Sequence, residues 1–414
     1  MPDPCDNNGE GEEVKKMLQK LEKKKMVVTG DHAAAYGALL CDVDVVAAYP
    51  ITPQTYIVED FSTFVNDGIT DAEFIKVESE HSAMSATIAA EAAGARTFTA
   101  TSSQGLALMH EMLFVAAALR MPIVMPVVNR TLAAPIGIWC EYNDTMPERD
   151  TGWMQVYCEN NQEVLDMIIQ SYKIAEHKDV LLPIMPTLDA FILSHTVEPV
   201  DAPSSDEVME FLPPYEPEAI LDTEKPMTIG SFAPPEYIQE VRYQNEQAMQ
   251  NAKRVIKEVN DEFAAKFGRD YYGLVEEYRC DDADAVVITL GTVTGTAREV
   301  VDEMRNEGKK VGLVKLRFFR PFPIEELRKI ASHVNAIGVY DRSISFGSGG
   351  PTFIEVRNAL YGYDLPVINF LAGLGGRDVV KADVRKMFEK TLKAAEEGRV
   401  EKEIVWIGTR GVEE

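Results

Sequence analysis

Four polar stretches follow four short apolar runs in the early part of the chain. They are Tyr49-Pro50-Ile51-Thr52-Pro53-Gln54-Thr55, Glu78-Ser79-Glu80-His81, Thr101-Ser102-Ser103-Gln104-Gly105 and Asn129-Arg130. Together they offer hydroxyls at Thr52 and Ser103, a carboxyl at Glu80 and a guanidinium at Arg130. An arginine and a hydroxyl can hold a carboxylate, by charge and by donor direction. A glutamate at an apolar strand end can trade a proton with a nitrogen base. Each residue also has a plainer job open to it. Glu80 suits a helix N-terminus and Ser102 or Ser103 a cap, while Arg130 suits a surface ion pair worth under about 1 kcal/mol. Thr55 suits the N-cap of a helix, which would make the proline loop only a stiff connection. Any one of these alone reads as structural; four in succession favour a site. No nucleophile elbow, metal cluster or phosphate cradle accompanies them, so the site reads as half of something.

The elements that must position these groups are short apolar strands alternating with helices. The pattern predicts strands over 26–29, 45–48, 74–77, 97–101, 123–128 and 180–185. Helices are expected over 31–40, 55–65, 80–93, 104–119 and 161–175. Continuous apolar strands separated by helices imply an α/β fold with a parallel sheet covered on both faces. Parallel strands end on one edge, where open α/β sheets bind ligands. Thr52, Glu80, Ser103 and Arg130 are therefore expected to converge. Pro50 and Pro53 stiffen the first of these loops and push Tyr49 and Thr52 toward extended geometry.

Four segments follow from this reading. Residues 1–25 form a charged leader with a helical pattern over 12–25, and 26–197 form the first α/β domain. Residues 198–282 form an acidic, proline-rich linker and a long polar helix over 236–267, expected on a surface or subunit contact. Residues 283–414 form a second α/β domain. There Gly291-Thr292-Val293-Thr294-Gly295 follows a strand and opens a helix, where phosphates can bind. It lacks the spacing of a dinucleotide or Walker loop, so a plain tight turn is expected.

Composition limits the function classes. The chain has 414 residues, 46% hydrophobic and 26% charged, which suits a soluble protein with more than one domain. A formal net charge of −26 opposes non-specific nucleic-acid binding and anionic membranes. The five cysteines (Cys5, Cys41, Cys140, Cys158, Cys280) form no C-x-x-C pair, and their spacing fits neither a zinc site nor an iron–sulfur run. Free thiols, a cytoplasmic location, no metal ligands and no membrane span are expected.

The strings around the four strand ends closely resemble the alpha subunit of 2-oxoacid:ferredoxin oxidoreductases, and most nearly the multi-subunit pyruvate branch. The resemblance continues at Val128-Asn129-Arg130, Glu148-Arg149-Asp150-Thr151-Gly152, Glu159-Asn160-Asn161-Gln162-Glu163 and Asp189-Ala190-Phe191-Ile192-Leu193-Ser194-His195. It returns at Lys315-Leu316-Arg317-Phe318-Phe319-Arg320-Pro321 and at Gly373-Leu374-Gly375-Gly376-Arg377-Asp378. It implies a pyrimidine-type thiamine-diphosphate domain followed by a transketolase C-terminal-like domain. It also implies thiamine diphosphate shared with a beta chain that carries the diphosphate and Mg²⁺. Iron–sulfur clusters would sit on partner chains, with coenzyme A as co-substrate. Gamma and ferredoxin-like delta chains, ferredoxin, and a dimer of hetero-oligomers complete the expectation. The absence of a G-D-G…N stretch agrees with a split site. By the same resemblance Glu80 would hydrogen-bond the aminopyrimidine, Pro50 and Ile51 would line the cofactor wall, and Thr52, Arg130 and Asp144 would hold the 2-oxoacid carboxylate. A relative acting on phenylglyoxylate, oxalate or a branched 2-oxoacid is one alternative. A non-catalytic structural subunit is another.

Overall fold

The computed structural model describes residues 20–412. Most of the helix expected over 12–25 lies outside them. Along the chain run β1 (Lys24–Val28), α1 (Gly30–Leu40), β2 (Val45–Ala48), α2 (Thr55–Asn66), β3 (Glu73–Lys76) and α3 (Glu80–Ala92). Then come β4 (Thr97–Phe98), α4 (Ser103–Ala118), β5 (Val127–Asn129), β6 (Met154–Tyr157), α5 (Asn161–Ala175) and β7 (Ile184–Asp189). Next are β8 (Glu198–Ala202), α6 (Ser205–Phe211), α7 (Pro235–Phe267), β9 (Val275–Tyr278), β10 (Ala285–Thr289) and α8 (Val293–Asn306). The chain ends with β11 (Val311–Leu316), β12 (Phe318–Arg320), α9 (Ile324–Ala331), β13 (Ala336–Asp341), α10 (Pro351–Ala359), β14 (Val367–Leu371), α11 (Lys381–Glu397) and β15 (Ile404–Trp406).

The first sheet has the order β3-β2-β4, joined through the parallel bridges Phe98–Val124 and Thr101–Val127 to β5-β7-β6. Its central strands are buried, as a parallel sheet covered on both faces requires. Helices α1, α2 and α5 pack on one face, and α3 and α4 on the other. The second sheet, β15-β14-β13-β10-β11-β9, is parallel apart from the β11–β9 pair.

Four expectations change. The strand expected over 26–29 exists but stays out of the parallel sheet. It pairs antiparallel with β8, Met26 opposite Val200, in a two-stranded ribbon. The segment 198–282 is thus more than a linker, since β8 and α6 are part of the first domain's packing. Helix α6 starts with a capping box between Ser204 and Glu207. Helix α7 does not stay out of the core either. Ala248, Ala252, Val255, Ile256, Val259 and Phe263 are buried, spaced three and four apart among charges that hid the stripe. Finally, β12 leaves the second domain and pairs with β6, so it edges the first domain's sheet.

The seam between the domains carries a buried ionic cluster. Glu163 of α5 is fully buried and accepts from Lys315 Nζ at 2.7 Å and Arg317 Nε at 2.9 Å. Lys315 also reaches Glu159 at 2.9 Å, and Arg298 joins Glu159 to Glu276. A second cluster sits at the end of β7. Asp189 accepts from Tyr142 Oη at 2.9 Å, from Arg342 Nη1 at 3.0 Å and from the Thr292 hydroxyl. Gly291 has a φ of 69°, and the Tyr142 hydroxyl fills the space a Cβ would need there. The 291–295 turn therefore closes on the first domain.

The cationic neighbours Lys315 and Arg317 hold the Glu163 carboxyl down to about 2 against the pull of burial. A folded-state value below the usual 4.3 or so contributes stability that is present above that pH and lost as pH falls toward about 2. Glu163→Gln should cost about 3–5 kcal/mol near neutral pH, as expected when one partner of a buried pair is removed. It should also flatten the acid limb of the stability curve. Denaturant titrations of both proteins from about pH 7 downward measure this.

Candidate active site

The loop after β2 is stitched to the end of β4. Gln54 is buried, donates from Nε2 to Ala100 O at 2.6 Å and accepts from Ile51 N at 3.3 Å. The Thr99 hydroxyl donates to Ala47 O at 2.7 Å. These bonds make Gln54 the residue before the helix. Thr55, expected as the N-cap, is the first helical residue, and no side chain caps α2. The Thr52–Pro53 peptide is cis. Pro50 and Thr52 are exposed on the rim and Ile51 is half-buried.

Arg130 reaches that loop from the end of β5. Its Nη1 donates to Thr52 O at 2.8 Å and its Nε to Gly137 O at 2.9 Å. Nη2 has no partner among the described residues. Burial lowers the affinity of Arg130 for its proton, and Asp144 opposes that. Arg130 and Thr52 are thus brought together, but through the threonine's carbonyl, which leaves the Thr52 hydroxyl and one guanidinium nitrogen for a third group.

Asp144 is placed differently from the expectation that it meets substrate. It is 2% exposed, and its oxygens accept from Arg130 N (2.9 Å), Ser103 N (3.1 Å), Asn129 Nδ2 (2.9 Å) and Thr145 N (2.8 Å). Burial pushes its carboxyl up to about 7 in spite of these donors. Asp144 is a positioning residue that ties the ends of β4 and β5 together. Ser103 is held by the same clamp. It adopts a left-handed φ of 50°, and its hydroxyl donates to Thr131 O at 2.8 Å. It therefore shapes the loop and does not open onto the rim.

Glu80 opens α3, whose cap is Ser79 accepting from Ser82 N at 3.2 Å. Glu80 is 6% exposed, and its carboxyl has no hydrogen-bond or ion-pair partner among the described residues. It lies over Gly105 of α4. A Cβ at Gly105 would come within 2.7 Å of Glu80 Oε1 and 2.5 Å of Thr101 Oγ1. The Thr101 hydroxyl is buried and has no partner. A partnerless acid and a partnerless hydroxyl thus share a cradle kept open by a glycine.

The second domain steadies the rim. Glu141 accepts from Gly375 N at 2.9 Å, and Thr131 N donates to Trp139 O at 3.0 Å. The loop between carries Gly137, the acceptor for Arg130. Sequence reasoning missed Thr101, Gly105, Gln54 and Glu141 as site-shaping residues. Thr101 and Gly105 stand within the string at the fourth strand end, and their four-residue spacing across a helix start was the available signal. Glu141 left none, because its partner lies in the other domain.

Comparison with known proteins gives a consistent result. Residues 36–261 match the family model described as pyruvate flavodoxin/ferredoxin oxidoreductase, thiamine diphosphate-binding. Residues 283–384 match pyruvate:ferredoxin oxidoreductase core domain II. The chain is 53% identical over 387 residues to pyruvate synthase subunit PorA of Methanocaldococcus jannaschii, covering 93% of this chain and 98% of that one. It is 50% identical to ketoisovalerate oxidoreductase subunit VorA of Pyrococcus horikoshii, covering 92% and 97%. Among solved structures, 2-oxoglutarate:ferredoxin oxidoreductase from Magnetococcus marinus aligns with a TM-score of 0.70 at 17% identity, over 89% of this chain and 66% of that chain. A split-gene transketolase aligns with a TM-score of 0.54 at 12% identity, over 89% and 99%. No helix among the described residues is long and apolar enough to cross a membrane.

The Asp144 clamp accepts only donors. Asp144→Asn turns one acceptor into a donor facing an N–H, which should cost about 1–3 kcal/mol of unfolding free energy. Urea titration of the full chain measures it, and an unchanged midpoint would remove Asp144 from its positioning role.

Proposed function

This chain belongs to the pyruvate flavodoxin/ferredoxin oxidoreductase family, and on that footing we propose that it is the cytoplasmic alpha subunit of a pyruvate:ferredoxin oxidoreductase. The enzyme decarboxylates the 2-oxoacid oxidatively, forms the acyl-coenzyme A and CO₂, and passes electrons to iron–sulfur clusters on partner chains. The observation that carries this reading is the cradle at Glu80, a buried acid without a protein partner on the same sheet edge as Arg130 and Thr52.

The residues present fit the pyrimidine half of thiamine diphosphate. Glu80 Oε and the orphaned Thr101 hydroxyl offer an acid and a hydrogen-bonding hydroxyl to a nitrogen heterocycle. When bound, the cofactor supplies the carbanion and the electron sink that decarboxylation needs. Glu80 would hold and move a proton at its carboxyl oxygen. Pro50 and Ile51 would form an apolar wall beside the heterocycle. Arg130 Nη2 and the Thr52 hydroxyl would take the substrate carboxylate, with the guanidinium fixed by its bonds to Thr52 O and Gly137 O. The diphosphate, Mg²⁺ and the clusters fall to the beta, gamma and ferredoxin-like delta chains, so the isolated alpha chain is inactive.

A branched 2-oxoacid is the second reading, favoured by a VorA relative as similar as several pyruvate relatives. Turnover of the assembled enzyme with pyruvate and with 3-methyl-2-oxobutanoate separates the two. In the same assay Glu80→Gln should lower turnover about 10²- to 10⁴-fold with assembly intact, the usual range for a lost acid–base group. Wild-type turnover in that variant would make this chain a structural subunit. Thr52→Val should act mainly on the KM for the 2-oxoacid.

A further inference from the structure

The arm that leads into α7 presents an apolar face that no described part of the chain covers. Between residues 213 and 247 no residue is buried. The stripe that packs α7 down (Ala248, Ala252, Val255, Val259) continues N-terminally at the same spacing through Asn245, Val241 and Ile238. Yet Ile238 is 46% exposed, Tyr237 at the stripe's border 63%, and Phe232 just before the helix 91%. The helix carries its packing face about two turns past the surface it packs on. Single exposed apolar residues need no explanation, but the continuation of a buried stripe does.

Position and charge say what kind of partner fits. The arm crosses the C-terminal ends of α3 and α4: Leu221 N donates to Ala92 O at 2.8 Å, and Asn245 Nδ2 to Ala117 O at 3.2 Å. Those helices begin at Glu80 and Ser103, so about 20 Å of helix separates the arm from the cradle. A chain covering Glu80 therefore meets the opposite edge of the sheet. Residues 213–247 hold seven acidic and two basic residues, a net −5. A second copy docked face to face would set −5 against −5, a strong electrostatic mismatch.

We infer that this arm is the docking face for a second, different partner chain, one with an apolar groove rimmed by lysine and arginine. Aromatic and aliphatic anchors from Phe232, Tyr237 and Ile238 fill the groove, and the acidic rim sets orientation and rate of encounter. The inference does not depend on the role of Glu80, so a failure of either leaves the other testable.

Amide hydrogen exchange of the full chain, alone and in the purified multi-subunit enzyme, tests it. The peptide spanning 232–245 should exchange at least about tenfold more slowly in the assembly. Equal exchange in both, or protection already present in the chain alone, would overturn the proposal; the latter would mean that the chain covers its own face. The double variant Tyr237→Ala, Ile238→Asp, with folding checked by circular dichroism, should weaken retention of one chain about tenfold or more in native mass spectrometry. Added salt should act in the same direction. Retention of every chain at wild-type stoichiometry, or cross-links joining the arms of two copies, would rule it out.

Discussion

The burial of Glu163 with Lys315 and Arg317 is the constraint on which the rest of the structure depends. The three are 0%, 3% and 1% exposed. Charges so placed are costly unless each finds its partner at hydrogen-bond distance. Glu163 sits on α5 of the first domain, while Lys315 and Arg317 lie on and just after β11 of the second. The partners meet in only one docking of the domains, and other dockings leave a buried charge uncompensated. Asp189 repeats the arrangement at the end of β7, with Tyr142 on one side and Arg342 on the other. Removing one partner of such a pair strands a buried charge, whereas replacing the whole cluster by apolar packing can be neutral.

The seam reaches the edge at Arg130 and Asp144 through short covalent distances. Tyr142 follows Glu141, which accepts from Gly375, and the loop before it gives Arg130 its acceptor at Gly137. Asp144 then binds Arg130, Ser103 and Asn129 into one unit. At this edge the Glu80 carboxyl, the Thr101 hydroxyl, Asn129 Oδ1, the Thr52 hydroxyl and one nitrogen of Arg130 lack protein partners among the described residues. Around them Gln54, Ser103 and Asp144 are fixed by hydrogen bonds, as a preorganised half-site requires.

Much of this was legible in the sequence. Parallel strands covered on both faces appear as bare apolar runs, so β2, β3, β10, β11, β13 and β14 could be read directly. Strand direction alone put Thr52, Glu80, Ser103 and Arg130 on one sheet edge, but it did not tell that Ser103 turns inward to Thr131 O. What escaped were pairings whose partner lies far along the chain. β6 and β12 are short; β6 pairs parallel with β7, and β12 is a strand through its antiparallel contact with β6. β1 was legible as a strand but not as the partner of β8. The Asp144 clamp has no period, because its donors are Ser103 after β4, Asn129 and Arg130 at the end of β5, and its own neighbour Thr145. Thr55 looked like a cap by residue type, but the bond from Gln54 to Ala100 O overrode that local preference.

Strand β12 has a mechanical meaning. It belongs to the second domain by chain order and to the first domain by its hydrogen bonds. A hinge between the domains would have to peel this strand from β6 and pull Lys315 and Arg317 from Glu163 in one motion. The two domains are thus tied twice, by a shared strand and by buried charge pairs. On the reading proposed above, access to the edge at Glu80 then depends on the chains beside it and not on a hinge within this one.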